Sequence, residues 1–202
     1  MLTIRTATVA DAPAIGRVLG DAFRDDPTWA QFLPDPATRP EKLARYYRRR
    51  VRRHPERVDV AMDDGRLVGA LLWAPPERAG GLTAARRTAR RATSRFLSRL
   101  PGGRGARHTL AVESYRPTGP HWYLRDIGAG PSARGKGVGS ALLEHRLGLI
   151  DHSGAEPAFL ESTTSGSRRL YERFGFEAVG SIATEPDHSS TAMIRHSGAR
   201  AG

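Results

Sequence analysis

Two hydrophobic periods alternate along this chain, and each marks an element. Residues 2–5 read as a first strand. Ile15, Val18, Leu19 and Phe23 recur at helical spacing, which predicts a helix within residues 8–23 with one buried stripe. Asp11 is placed to cap it, and Pro13 falls in its first turn, where a missing amide is tolerated. Residues 24–27, Arg-Asp-Asp-Pro, break it. Residues 28–36 are short and aromatic, with Trp29 and Phe32 placed to cap the core. Leu43, Tyr46, Tyr47 and Val51 predict a second helix over residues 39–53. Residues 58–62 and 67–73 flank Asp63-Asp64-Gly65-Arg66, a hairpin signal. The run Leu67-Val68-Gly69-Ala70-Leu71-Leu72-Trp73 is nearly all apolar, so it is predicted as a central strand covered on both faces. Pro75-Pro76 ends it.

The second half repeats the alternation. Residues 122–129 form an aromatic and aliphatic strand, and Leu142, Leu143, Leu147 and Ile150 give the stripe of a following helix. Residues 158–162 are a strand, residues 167–174 a short helix stopped by Gly175, and residues 177–183 and 191–195 two closing strands. Residues 77–107 stand apart. Their polybasic part has helical propensity, and Gly102-Gly103-Arg104-Gly105 reads as a flexible loop. A lid, an anion-binding surface helix and a solvated insertion all fit; a helix framing a substrate pocket is the preferred reading. Residues 109–116 are predicted as a further short helix carrying Glu113.

Composition narrows the classes. At 202 residues the chain can bury a real core. It has no cysteine, which excludes disulfides, thiolate catalysis and cysteine-ligated metals. No apolar run approaches membrane-spanning length, and the first residues lack a secretory pattern, so a cytoplasmic protein with no membrane partner is expected. The seven histidines show no metal-ligand spacing, so no metal is expected. Net charge is +11, almost all of it from arginine, since Lys42 and Lys136 are the two lysines. Such a surface attracts anions. The basic run on residues 39–53 reads as a solvated face. With no recognised nucleic-acid motif, nucleic acid is not the expected partner.

The chemistry centres on Arg134-Gly135-Lys136-Gly137-Val138-Gly139-Ser140, between a strand and a helix. The first amides of a helix lack partners and carry partial positive charge. Glycines let a ligand reach the backbone, so the loop can seat a pyrophosphate. Neither usual nucleotide loop fits cleanly. A Walker A loop needs Gly-Lys-Ser/Thr, and here Val138 precedes Gly139-Ser140. The dinucleotide fingerprint needs a third, late glycine, although Glu161 does close the next strand. With "L-Y-E-R-F-G-F" downstream, the chain resembles the GNAT superfamily of N-acetyltransferases. Arg134, Gly137 and Gly139 match that family's loop, and Tyr171, Gly175 and Phe176 its Tyr-x-x-x-Gly-Phe ending. Over residues 121–176 the sequence is similar to the puromycin N-acetyltransferase branch.

The resemblance implies an α+β fold: one mixed, mostly antiparallel sheet of six to seven strands flanked by helices and splayed at the cofactor-binding strands. It implies a single domain over residues 1–202 with a basic insertion at about 77–107. The cosubstrate would be acetyl-coenzyme A, held by residues 134–140 and by an arm pairing with Ile127, Gly128 and Ala129. Gly128 suits a bulge. Tyr171 would protonate the departing thiolate, and Ser167 stands where many relatives have a cofactor-contacting asparagine. The acceptor's base is assigned to Glu161, with Glu113, His121 and Asp126 as second choices and an arginine ion pair as the competing reading of Glu161. Trp29, Tyr46, Trp73 and Glu113 would border a small-molecule amine, which the resemblance to the puromycin branch makes antibiotic-like. Acetylation of protein lysines or N-termini, and a non-catalytic acyl-CoA or nucleic-acid binder, are the competing readings of function. A monomer or homodimer is expected.

Overall fold

The computed structural model describes residues 1–77, 89, 104–154, 156–185 and 188–198. Seven strands lie in one mixed sheet in the order β1-β2-β3-β4-β5-β7-β6. They are β1 (Leu2–Thr6), β2 (Val58–Asp63), β3 (Arg66–Ala74), β4 (Trp122–Ala129), β5 (Ala158–Ser162), β6 (Glu177–Glu185) and β7 (His188–Arg195). The helices among the described residues are α1 (Ala12–Ala22), α2 (Pro27–Phe32), α3 (Arg39–Arg53), α4 (Arg104–Tyr115), α5 (Val138–Ser153) and α6 (Ser165–Arg173). None is long and apolar enough to cross a membrane. The chain divides into two compact units, residues 1–74 with 124–154 and residues 75–123 with 155–202.

In the first unit, β1 pairs antiparallel with β2, and β2 with β3. The β2–β3 turn places Asp64 and Gly65 at φ of 46° and 75°, the positive pair a tight hairpin needs. Alternation then decides what each strand face meets. Val58, Val60, Ala70 and Leu72 bury against Ile15, Leu19, Leu43, Tyr47 and Val51 of α1 and α3. Each such large side chain contributes roughly 1.5–3 kcal/mol on burial. On the other face Asp59 is fully buried, and Arg146 of α5 grips it with Nε–Oδ2 at 2.7 Å and Nη2–Oδ1 at 2.5 Å. β3 is thus covered on both sides, as its apolar run predicts. Helix α1 approaches α3 closely because Gly16 and Gly20 have no side chain. A Cβ there would stand 2.6 Å from the carbonyl oxygens of Ala44 and Pro40. The aromatic segment after α1 forms α2, capped by Asp26, whose carboxylate accepts the Trp29 amide at 3.0 Å.

In the second unit, β7 pairs antiparallel with both β5 and β6. Val112, Phe159, Ile182 and Ala192 form its core cluster. Tyr115 of α4 lies over Gly180, where a Cβ would overlap the ring. Its hydroxyl donates to the Ser181 carbonyl at 3.0 Å. Helix α4 corrects the loop expected at Arg104-Gly105 and the start expected at Thr109. The helix already runs from Arg104, and the Gly105 carbonyl accepts the Thr109 hydroxyl at 2.8 Å. Tertiary packing of the Val112 side outweighs the low helix propensity of one glycine. The expected polybasic helix and the Gly102-Gly103 part of the loop lie outside the described residues.

Candidate functional site

The glycine loop belongs wholly to the first unit. β4 ends at Ala129, and the Gly130 amide donates to the Val68 carbonyl at 2.8 Å. A single 3-10 turn, Pro131–Ala133, follows. Gly135 and Gly137 then take φ of 75° and 77°. A Cβ at either would meet nothing within 4 Å, so backbone conformation, not crowding, demands glycine. Gly137 is the N-cap of α5 and offers no side chain to its amides. Its carbonyl accepts the Ala141 amide at 2.9 Å. The amides of Val138, Gly139 and Ser140 have no intrahelical acceptor, and no backbone group among the described residues accepts them. The helix dipole adds to their positive potential.

The strand below holds this terminus in place. Val138 is buried over Gly69 of β3, where a Cβ would lie 2.5 Å from Val138 Cγ1 and 3.3 Å from Leu142 Cδ1. Gly128 has a packing role too. A Cβ there would be 2.9 Å from both Ala22 Cβ and Leu19 Cδ2. Arg134 does not project freely: its Nη2 donates to the Asp21 and Ala22 carbonyls at 3.2 and 3.1 Å, tying the loop to the end of α1. Lys136 is exposed and borders a hollow of about 580 Å³ with Asp63, Asp64 and Arg66. Ile127 and Ala129 are partly buried on β4. Just before them, Asp126 accepts the hydroxyl of buried Tyr47 at 3.0 Å. Desolvation raises the Asp126 pKa, while the Arg125 and Arg50 charges pull it back. Burial and the Asp126 charge push the Tyr47 hydroxyl well above the usual phenol range, so it remains a donor.

The aromatic residues expected to border the acceptor make two separate ring contacts. Trp29 meets Tyr46 edge-on at 5.4 Å and also packs on the α1–α3 core. Trp73 lies instead under the Arg146 guanidinium, 3.9 Å from its ring centroid. The buried Asp59–Arg146 pair therefore orients this ring.

In the second unit, α6 ends in a Schellman arrangement. The Gly175 amide donates to the Glu172 carbonyl at 3.0 Å and the Phe176 amide to the Tyr171 carbonyl at 3.1 Å, with Gly175 at φ 78°. This gives the Tyr171–Gly175–Phe176 spacing a physical cause and sets the two rings edge-on at 6.0 Å. Tyr171 is buried. Ser167 is engaged in the cap of its own helix: its amide donates to Thr164 Oγ1 at 3.1 Å, and its hydroxyl meets those of Ser162 and Thr164 at 2.8 and 3.0 Å.

Among the described residues, Glu161 pairs with a histidine and not with an arginine. Its Oε2 meets His108 Nε2 at 3.0 Å, and Oε1 accepts the Ser190 hydroxyl. His108 and Glu161 are only 13% and 12% exposed, so the pair is largely withdrawn from water. No sequence signal marks His108, because 53 residues separate it from Glu161. Glu113 and His121, the second choices for a base in this unit, are both held by one arginine. Glu113 is buried and paired with Arg116 at 2.8 Å. Arg116 Nε donates to His121 Nε2 at 3.0 Å, and its guanidinium covers Tyr123 at 4.4 Å.

Residues 21–176 match the acetyltransferase (GNAT) family. Among solved structures, the chain is similar to a histone acetyltransferase HPA2 and related acetyltransferase from Corynebacterium glutamicum, with 31% identity, a TM-score of 0.70, and coverage of 96% of this chain and 95% of that one. A polyamine N-acetyltransferase of Drosophila melanogaster shares 18% identity over 97% of this chain and 100% of its own, with a TM-score of 0.70. A mosquito arylalkylamine N-acetyltransferase-like protein shares 14% over the same shares, with a TM-score of 0.71. At those two identities the likeness is one of fold.

Proposed function

The chain belongs to the acetyltransferase (GNAT) family and is an acetyl-coenzyme A-dependent N-acetyltransferase, and we propose that its acceptor is a primary amine of a small molecule, attacked directly in a ternary complex. The observation that carries this reading is the set of open amides at Val138, Gly139 and Ser140, behind two left-handed glycines. They suit a pyrophosphate, with Lys136 adding charge. The backbone of Ile127, Gly128 and Ala129 then pairs with the pantetheine arm and polarises the thioester oxygen, worth about 3 kcal/mol in the transition state.

In the proposed reaction the amine nitrogen forms a bond to the thioester carbon and the carbon–sulfur bond breaks. Tyr171 gives its phenolic proton to the leaving thiolate, whose basicity is slightly lower. Glu161, aligned with His108, takes the proton that the amine loses. The similarity to the puromycin branch over residues 121–176 supports an antibiotic-type amine. Relatives named for polyamines and arylalkylamines support a small acceptor. The relative named for histone acetylation favours protein lysines as the second reading; a net charge of +11 opposes it, since lysine-rich tails are themselves cationic.

The test is thiol release from acetyl-coenzyme A with a panel of small amines and a lysine-rich peptide. Small amines should be the better acceptors. Gly137→Val should weaken acetyl-coenzyme A binding about tenfold or more, because a branched side chain resists the left-handed conformation that opens the amides. Tyr171→Phe should lower kcat by about a hundredfold and leave cosubstrate affinity unchanged. Unaltered affinity in the folded glycine variant removes the phosphate seat, and unaltered kcat in the other removes Tyr171.

A further inference from the structure

The outer face of α3 carries charge that the reaction above leaves unused. A hollow of about 600 Å³ lies there, lined by six cations of α3 and the turn after it, among them Arg49, Arg50 and Arg53, with Tyr46 and His54 completing the wall. That volume suits a small organic ligand. Among the described residues, the carboxylates paired with this wall are Glu41, 2.8 Å from Arg45, and Glu56, 3.1 Å from His54 and 3.5 Å from Arg57. Arg49 and Arg53 make no ion pair among the described residues. A smaller hollow shares Arg50, His54 and Arg57 with the first and is bordered by Trp73 and Arg125. Arg125 stands on β4 two residues before Ile127, roughly 7 Å along a strand. The cationic wall thus leads from Tyr46 past Trp73 to the strand proposed to hold the thioester arm.

We propose that the acceptor amine also carries a carboxylate, phosphate or phosphonate group, which Arg49, Arg50 and Arg53 hold in this hollow. The inference rests on the N-acetyltransferase reading above and names the class of its acceptor. Guanidinium groups bind such anions through paired, charge-assisted hydrogen bonds. An anion also relieves the mutual repulsion of the uncompensated arginines. The same wall opposes a second ammonium, so it selects against polyamines by repulsion as well as for anions by attraction.

The experiment measures kcat/KM by thiol release for straight-chain primary amines of one length, ended by methyl, ammonium, carboxylate or phosphonate. It uses the wild type and the Arg49→Gln/Arg53→Gln double variant. In the wild type at low salt the anionic amines should exceed the ammonium-ended one by about tenfold or more. In the variant that ratio should fall to within about twofold, with acetyl-coenzyme A affinity as in the wild type. A ratio unchanged by the substitutions, or a wild-type preference for the ammonium-ended amine, overturns the proposal. So does weakened acetyl-coenzyme A binding in the variant, which would assign the hollow to the coenzyme's own phosphates. Absence of thiol release with every amine, together with no binding of acetyl-coenzyme A, is instead failure of the N-acetyltransferase reading. Calorimetric titration of the phosphonate-ended amine then decides the hollow by itself: binding about tenfold tighter to the wild type supports it, and equal binding to both proteins overturns it.

Discussion

Asp126 shows how one side chain links the core to β4. It sits on β4 beside Ile127 and accepts the Tyr47 hydroxyl from α3. Desolvation is the largest influence on it and raises its pKa above the ordinary 3.8. The folded state therefore binds the proton more tightly than the unfolded chain. Stability from this group is greatest at low pH and falls as pH rises from about 3.8 through the folded value. Asp126→Asn keeps an acceptor for Tyr47 and removes the charge. The variant should gain on the wild type in urea midpoint as pH rises from about 4 to about 7, and the two curves should approach each other again on acidification. Parallel curves over that range would mean that the carboxylate does not resist ionisation. Little of this was legible in the sequence, where Asp126 is merely one acid in a strand. The His108–Glu161 and Arg146–Asp59 pairs are hidden for the same reason: partners 53 and 87 residues apart meet only when strands and helices pack. Ser167 is a different case. The Thr164-x-x-Ser167 spacing resembles a capping box, and this local signal could have revealed its role in α6.

Elements were far more legible than pairings. The apolar periods gave the strands and most helices, because burial on one face or both imposes those periods directly. Helix α2 has only six residues, too few to show a period, and α4 begins through a glycine. The glycine loop was legible as a turn, yet its support from beneath was not. Gly69 reads as one more residue of an apolar strand, but its missing side chain is what lets Val138 settle on β3. Gly69→Ala would put a Cβ 2.5 Å from Val138 Cγ1. Overpacking of this kind destabilises by about 1–3 kcal/mol, and here the strain falls on the first residue of α5. We expect lower stability and weaker acetyl-coenzyme A binding together. Val138→Ala removes the offending methyl, so the Gly69→Ala/Val138→Ala double variant should recover part of both losses. Urea denaturation and cosubstrate titration on the four proteins check this. Losses that simply add would show that the two residues do not press on each other.

At the scale of the molecule the governing quantity is charge. A net +11 belongs to the whole sequence, whatever the position of any one arginine. Its field acts at long range on an incoming polyphosphate, whereas the amides proposed to seat it at the start of α5 would act only on contact. Salt separates the two contributions. The screening length is about 10 Å at 0.1 M and about 3 Å at 1 M, so salt suppresses the field before it weakens close hydrogen bonds. Raising KCl over that range should lower kcat/KM for acetyl-coenzyme A by about tenfold through slower capture, while kcat changes less than about twofold because the bound complex is screened less. Steady-state rates at saturating acceptor, taken at constant pH, measure both quantities. A neutral amine should show almost no salt effect on its own KM, which guards against a general loss of structure. Should kcat fall in parallel with kcat/KM, salt would be acting on the bound complex, and the molecule's surplus of arginine would have no part in gathering its cosubstrate.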